Sequence, residues 1–212
     1  MWSEILILGD GGHASCVAEA ANSMGFAVTK CLALSREDET FQATTKEIEQ
    51  LDLGKIALAL GIGHNFARQS LYNHLTSIFS QAHFPNIVHA TAWVSPSAAI
   101  DQGTVVLAYG SVGPQAVLRT GSLLNTGASL DHDSTLGEFA ALGPGARTGG
   151  NVTIGPRTMI GLQAGILQGR IVGEDSVVGA QSLVLEDIPS LSVAVGSPSR
   201  VIRSRERDER YY

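Results

Sequence analysis

Beginning at Val94, an aliphatic residue returns at every sixth position: Val94, Ile100, Val106, Val112, Leu118, Leu124, Leu130, Leu136 and Leu142, then Thr148, then Ile154, Ile160, Ile166, Val172, Val178 and Val184. Only Thr148 interrupts the series. Neither the period of a helix nor the alternation of a half-buried strand produces such spacing. A strict period of six marks a short structural unit stacked on copies of itself. Each hexad supplies one flat wall and one corner, with its aliphatic side chain pointing to a common axis, and three hexads close a triangular coil. The run therefore predicts about five coils of a parallel β-helix. Glycine often follows the aliphatic residue, as at Gly113, Gly137 and Gly155, and the residue four places beyond it is small, as at Ala98, Ser122 and Ala140. Both are expected to let the chain turn its corners.

Ahead of the repeat the rhythm is different. Residues 5–8 are a short apolar run ending at Gly9, and residues 14–24 carry Val17, Ala20, Ala21 and Met24 at helical spacing before Gly25 stops the helix. Residues 28–34 and 56–60 read as further strands, and residues 46–51 and 66–79 as helices. Strands alternating with helices imply a small parallel sheet. The expected fold is an α/β N-terminal domain (a small parallel β-α-β sheet, residues 1–85) followed by a parallel β-helix (86–190). A C-terminal segment with a charged tail (191–212) would end as a solvated helix or frayed end.

Composition narrows the function. Hydrophobic residues make up 44% and charged residues 16%, as in a globular chain. The net charge is −6, and the one basic stretch, Arg200 to Arg210, is interleaved with Glu206, Asp208 and Glu209, which argues against nucleic-acid binding. No apolar run reaches the length of a membrane helix, so no membrane insertion is expected. Cys16 and Cys31 read as free thiols of a reducing cytoplasm. His74, His83 and His89 lack metal-ligand spacing, and the hexads offer one histidine, so no metal is expected.

That histidine is His132, in Asp131-His132-Asp133. An imidazole beside carboxylates suits general-base chemistry near neutral pH: the ring takes a proton, and a carboxylate orients it and stabilises the imidazolium. Either Asp131 or Asp133 could be that carboxylate. Thr148 breaks the aliphatic series, a local irregularity of the kind where function is expected, with Gly149 and Gly150 after it. At the other end of the chain, Gly9-Asp10-Gly11-Gly12-His13-Ala14 follows a strand and opens a helix, a setting that suits an anion. The same loop satisfies a dinucleotide fingerprint. However, the second strand ends at Leu34-Ser35-Arg36 with no acid before Glu37 to hold a ribose, which disfavours NAD. A second loop, Gly61-Ile62-Gly63-His64-Asn65, should sit beside the first.

The hexads resemble the left-handed β-helix acyltransferases. With the Gly9–Ala14 loop and the closing Gly196-Ser197-Pro198-Ser199-Arg200, the chain is similar to NeuD-like sugar acyltransferases, including N-acetyltransferases of the bacillosamine and perosamine pathways. The resemblance implies a homotrimer that transfers acetyl from acetyl-CoA to a nucleotide-linked amino sugar. His132 would be the base and Asp133 its partner. Gly150, Gly149, Leu162, Gly179 and Ala180 would serve the oxyanion and acetyl-CoA. Gly11, Gly12, His13, Ser35, Gly63 and His64 would hold the acceptor. Where relatives of this kind often have a second histidine, Ala141 stands here. Relatives that use UDP-sugars have aspartates near Ser35 and Arg36, which implies a different base here, or no nucleotide at all. Two other readings remain: O-acetylation of sialic acid or another glycan sugar, and a non-catalytic protein that binds a sugar nucleotide.

Overall fold

The computed structural model describes residues 2–32 and 41–211. Three parallel strands, β1 (Glu4–Leu8), β2 (Ala27–Leu32) and β3 (Ile56–Leu60), form a sheet in the order β2-β1-β3. The central strand is a continuous apolar run because both of its faces are covered. Ile5 and Ile7 face helix α1 (Gly12–Ser23), packing with Ala14, Val17, Ala20 and Ala21. Leu6 and Leu8 face the other way, onto Ile48 of α2 (Gln42–Ile48) and Leu71 and Leu75 of α3 (Asn65–Ile78). Strand β2, one of the two edge strands, is largely exposed. The end of the strand expected over residues 28–34 lies outside the described residues. The helix expected at residues 46–51 forms earlier, at Gln42–Ile48.

From Ile87 the chain winds into a triangular β-helix whose three walls are parallel sheets. The first wall runs from Ile87–Val88 to Ser192–Val195, and each strand pairs with the one a full coil later, as Leu123 does with Val105 and Ala141. Val106, Leu124, Leu142, Ile160 and Val178 stack down the axis with the aliphatic residues of the other two walls. The structure has about six coils rather than five, because Val88 begins the repeat one hexad before Val94 and Ala194 continues the first wall beyond Val184. Thr148 keeps its place in the stack, between Leu130 and Ile166 on the second wall.

The glycines after the aliphatic residues do a different job from the one expected. The left-handed backbone at most corners falls two residues later, as at Gln115 (φ 58°), Asp133 (φ 57°) and Phe139 (φ 53°). Gly113 is instead a point of close stacking: a Cβ there would lie 2.6 Å from the backbone nitrogen of His132, one coil on. Without a side chain, one coil can sit directly on the next.

The first wall is buried on both faces. Its outward residues Ile87, Val105, Leu123 and Ala141 pack against α1 and the sheet, so the N-terminal domain rides on this wall. Arg68 of α3 locks the join. Its guanidinium is fully buried and donates to the carbonyls of Gly121 (2.9 Å), Phe139 (2.8 Å), Ile62 (3.0 Å) and Gly63 (3.2 Å). Burial lowers its pKa to about 10, which leaves it charged at neutral pH. Asn65 adds bonds from its side-chain amide to the carbonyls of Arg157 and Thr158. Replacing Arg68 with Leu strands several buried carbonyls, so Arg68→Leu is expected to cost about 3 kcal/mol or more in urea unfolding, whereas Arg119→Ala, at an exposed ion pair, costs less than about 1 kcal/mol.

Candidate active site

His132 and its neighbours occupy the corner between the second wall (Ser129–Leu130) and the third (Thr135–Leu136). The corner is built by hydrogen bonds from both sides. The Thr148 hydroxyl accepts the Asp131 amide at 3.0 Å, and the Asp131 carboxylate accepts the His132 amide at 2.7 Å. One coil further, the Asn151 amide donates to the His132 carbonyl at 2.8 Å. Asp133 takes the left-handed conformation that Asp tolerates better than most residues, and its Oδ2 lies 2.7 Å from His132 Nδ1. The two carboxylates thus divide the work: Asp133 holds the ring and Asp131 holds the backbone. The hydrogen bond to Asp133 is the main reason His132 is raised above the ordinary imidazole pKa, with the charge of Asp131 adding to it.

The imidazole packs against Gly150, where any Cβ would overlap Cε1 and Nε2. Gly149 donates its amide to Ile166, and Asn151 donates to His132; among the described residues the Gly150 amide has no such partner. A cleft of about 430 Å³ opens here, lined by His132, Gly149, Gly150, Asn151, Gln168 and Gly169. More than half of the His132 side chain is exposed (56%). The corner therefore offers a ring nitrogen able to accept a proton beside an unpaired amide, open to approach from outside.

A second cavity, of about 410 Å³, lies along the first wall and the corner between it and the second wall. It is lined by His13 and Gly63 of the N-terminal domain, by Ala141 and Met159 of the wall, and by Leu162, Gly179 and Ala180 of the corner. The two glycine loops meet above it, as expected: a Cβ on Gly9 would lie 2.6 Å from the Gly61 carbonyl oxygen, and one on Gly63 would be 3.9 Å from His13. Gly11 and Gly12 are exposed at the N-terminus of α1, with open space around both. His13 is held neutral, its pKa lowered to about 4 by burial and by the nearby Arg68 charge, and its Nε2 is buried without a partner. It can exchange a hydrogen bond with a ligand but brings no charge to a phosphate. His64 caps α3, where its Nδ1 accepts the Ala67 amide at 3.3 Å. Ser35 lies outside the described residues.

Residues 4–75 match the family described as the PglD N-terminal domain. The chain superposes on a histidine-to-alanine variant of GDP-perosamine N-acetyl transferase from Caulobacter crescentus in complex with CoA and GDP-perosamine (TM-score 0.84, 28% identity, 95% of this chain and 97% of that one). It also superposes on the acetyltransferase domain of PglB from Neisseria gonorrhoeae FA1090 in complex with acetyl coenzyme A (TM-score 0.86, 29% identity, 95% and 100%). The family match covers the N-terminal third of the chain, and the likeness to these two acetyltransferase structures spans nearly all of it. With them it shares the left-handed β-helix. Among curated proteins, galactoside O-acetyltransferase of Escherichia coli (strain K12) is 51% identical over 45 residues, and the match spans only about a fifth (22%) of that protein.

In this chain the predicted residues fall into two groups rather than one. His132, Asp133, Gly149 and Gly150 share a corner, while Leu162, Gly179 and Ala180 share the next corner of the triangle with His13 and Gly63. The width of the second wall separates the groups within one chain. The tail differs from the frayed end expected of it. Arg205 is buried and donates to the Asp175 carbonyl at 2.6 Å, and Asp175 also pairs with Arg157 (2.6 Å) and Arg207 (3.2 Å). This cluster folds the tail back so that Tyr211 lines the second cavity. No periodicity marks Tyr211, since its position depends on ion pairs between segments distant in sequence. Among the described residues, no three His, Cys, Asp or Glu side chains gather as metal ligands would, and no helix is long and apolar enough to cross a membrane.

The geometry predicts that His132, followed by NMR through its ring proton, titrates above 6.5. In Asp133→Asn the midpoint should fall by more than in Asp131→Asn, because the hydrogen bond to Asp133 is the larger cause. Equal shifts in the two variants would contradict the assignment of roles.

Proposed function

We propose that this protein transfers an acetyl group from acetyl-CoA to the amino group of a nucleotide-linked amino sugar. The observation that carries the reading is the exposed His132, oriented by Asp133 and lying against Gly150. The sugar amine attacks the thioester carbonyl as His132 Nε2 takes its proton. The carbon–nitrogen bond forms, the carbon–sulfur bond breaks, and the imidazolium returns the proton to the departing thiolate. Asp133 keeps Nδ1 protonated, so that Nε2 is the basic nitrogen. The Gly150 amide stabilises the oxyanion of the tetrahedral intermediate.

The second cavity takes the acceptor, with the nucleotide phosphates at Gly11 and Gly12 on the N-terminus of α1 and a hydrogen bond from His13. Leu162, Gly179 and Ala180 take acetyl-CoA. A homotrimer resolves the separation of the two groups, because three-fold packing sets the His132 corner of one copy against the next corner of its neighbour. The exposed apolar side chains of Trp93 (54%), Leu162 (47%) and Leu183 (39%) on this side support such an interface.

The whole-chain similarity to a GDP-perosamine N-acetyl transferase favours an amine acceptor. The short match to galactoside O-acetyltransferase favours a second reading, in which a sugar hydroxyl, such as that of sialic acid, is the acceptor.

The test follows release of CoA thiol from acetyl-CoA with UDP-, GDP- and dTDP-linked 4-amino-4,6-dideoxy sugars and free sialic acid. Turnover with an amino sugar, lowered roughly 10²-fold or more in His132→Asn, is the expected result. Because the reacting ring must be neutral, the rate should rise with pH through a midpoint above 6.5, and Asp133→Asn should move that limb to lower pH. Turnover with sialic acid alone would replace the acceptor, and an unimpaired His132→Asn would remove the base.

A further inference from the structure

The second cavity has one wall that neither glycine loop nor hexad supplies. Tyr211 lines it together with Leu123, Ala141 and Met159. This ring does not dangle. Its hydroxyl oxygen accepts the amide of Asn65 at the start of α3 (3.1 Å), satisfying one of the donors a helix leaves unpaired there. The ring packs against His64 in a tilted arrangement, 4.9 Å between centroids, and the Arg205 guanidinium stands 5.6 Å from the ring centre. The segment that carries it is tied down by Arg205 to Asp175, by the Arg205 amide to Leu191 (2.9 Å) and by Arg203 to Glu209 (2.6 Å). An aromatic ring already held in place loses little freedom when a ligand packs on it.

The remaining lining suits one kind of guest. Leu123, Ala141, Met159 and Val177 are apolar, and the polar groups are few: Asn125, the Tyr211 hydroxyl and the buried, unpartnered Nε2 of His13. A fully hydroxylated sugar would leave hydroxyls unpaired here, which is costly. A deoxy sugar presents a methyl group and an apolar ring face, and needs only one or two hydrogen bonds. Aromatic side chains pack well on such faces.

We propose that the C-terminal tail is part of the acceptor site, with Tyr211 as a binding residue that stacks on a deoxy-sugar ring and selects it. The proposal rests on the acceptor lying in this cavity, as set out above, and concerns which residue reads the sugar. Nothing in the chemistry of transfer requires Tyr211, so its role is read in binding and not in the proton transfer.

Isothermal titration of the full-length protein tests this. The ligands are UDP, GDP and dTDP, then the same nucleotides bearing a 4-amino-4,6-dideoxy sugar, each with wild type, Tyr211→Ala and Tyr211→Phe; circular dichroism confirms that the variants are folded. The sugar should add affinity over the bare nucleotide in wild type. Tyr211→Ala should lose roughly tenfold of that gain, with nucleotide affinity unchanged, and Tyr211→Phe should keep most of it. An unchanged sugar-dependent gain in Tyr211→Ala overturns the proposal. So does an equal loss for nucleotide and nucleotide sugar, which would mark a structural role, or a wild type that binds no sugar nucleotide. Sugar binding that depends on Tyr211 without any thiol release would uphold this inference and remove the acetyl-transfer reading instead.

Discussion

Each coil of the β-helix sits on the one before it at a separation of eighteen residues, and every other feature of the molecule depends on that contact. The inward aliphatic residues form one continuous core, while Gly113, Gly137 and Gly161 let neighbouring backbones approach so closely that a Cβ would meet them at 2.6 to 2.8 Å. A coil has no hydrophobic core of its own and gains one only by stacking. Close stacking fixes the corners relative to each other, and side chains on successive corners inherit that order. The contact of the His132 ring with Gly150 and the bond from Asp131 to Thr148 both run between neighbouring coils.

The corners are where the repeat can carry chemistry at little cost to the core. Most place one residue in the left-handed backbone region, at roughly 1–2 kcal/mol for a residue other than glycine. Several corners use glycine, but others carry a side chain with a specific partner: Asp133 on His132, Phe139 against Tyr72, and Arg157 on Asp175. The first orients the imidazole, the second helps seat α3, and the third belongs to the cluster that docks the tail. The same backbone position thus serves the candidate site, the join between domains and the C-terminus.

Much of this was legible in the sequence, for physical reasons. The period of six identified the β-helix because burial of one residue per wall imposes it. The strand-glycine-helix order of the first domain was readable because β1 and β3 are buried on both faces and so are uniformly apolar. The irregularity at Thr148 was visible in the sequence, and in the structure its hydroxyl holds the Asp131 amide at the corner of His132. The choice between Asp131 and Asp133 was not legible, since it turns on which carboxylate the left-handed backbone swings toward Nδ1. The role of the repeat glycines was misjudged because close stacking and corner turning both select glycine. The fold-back of the tail was illegible too, because an alternation of arginine and glutamate reads as a solvated surface unless the buried Asp175 that gathers the arginines is known.

The separation of the two residue groups within one chain bears most directly on how the protein works. His132 and Gly150 lie on one corner and the His13 cavity on the next, and the proposed trimer would complete the site from two copies. Coexpressing His132→Asn chains with His13→Ala chains, each inactive or nearly so alone, tests this through thiol release by the mixed assemblies. Random mixing pairs an intact base with an intact cavity at about one interface in four, so the mixture should recover roughly a quarter of wild-type activity. Activity no greater than that of the separate variants would contradict a site shared between copies.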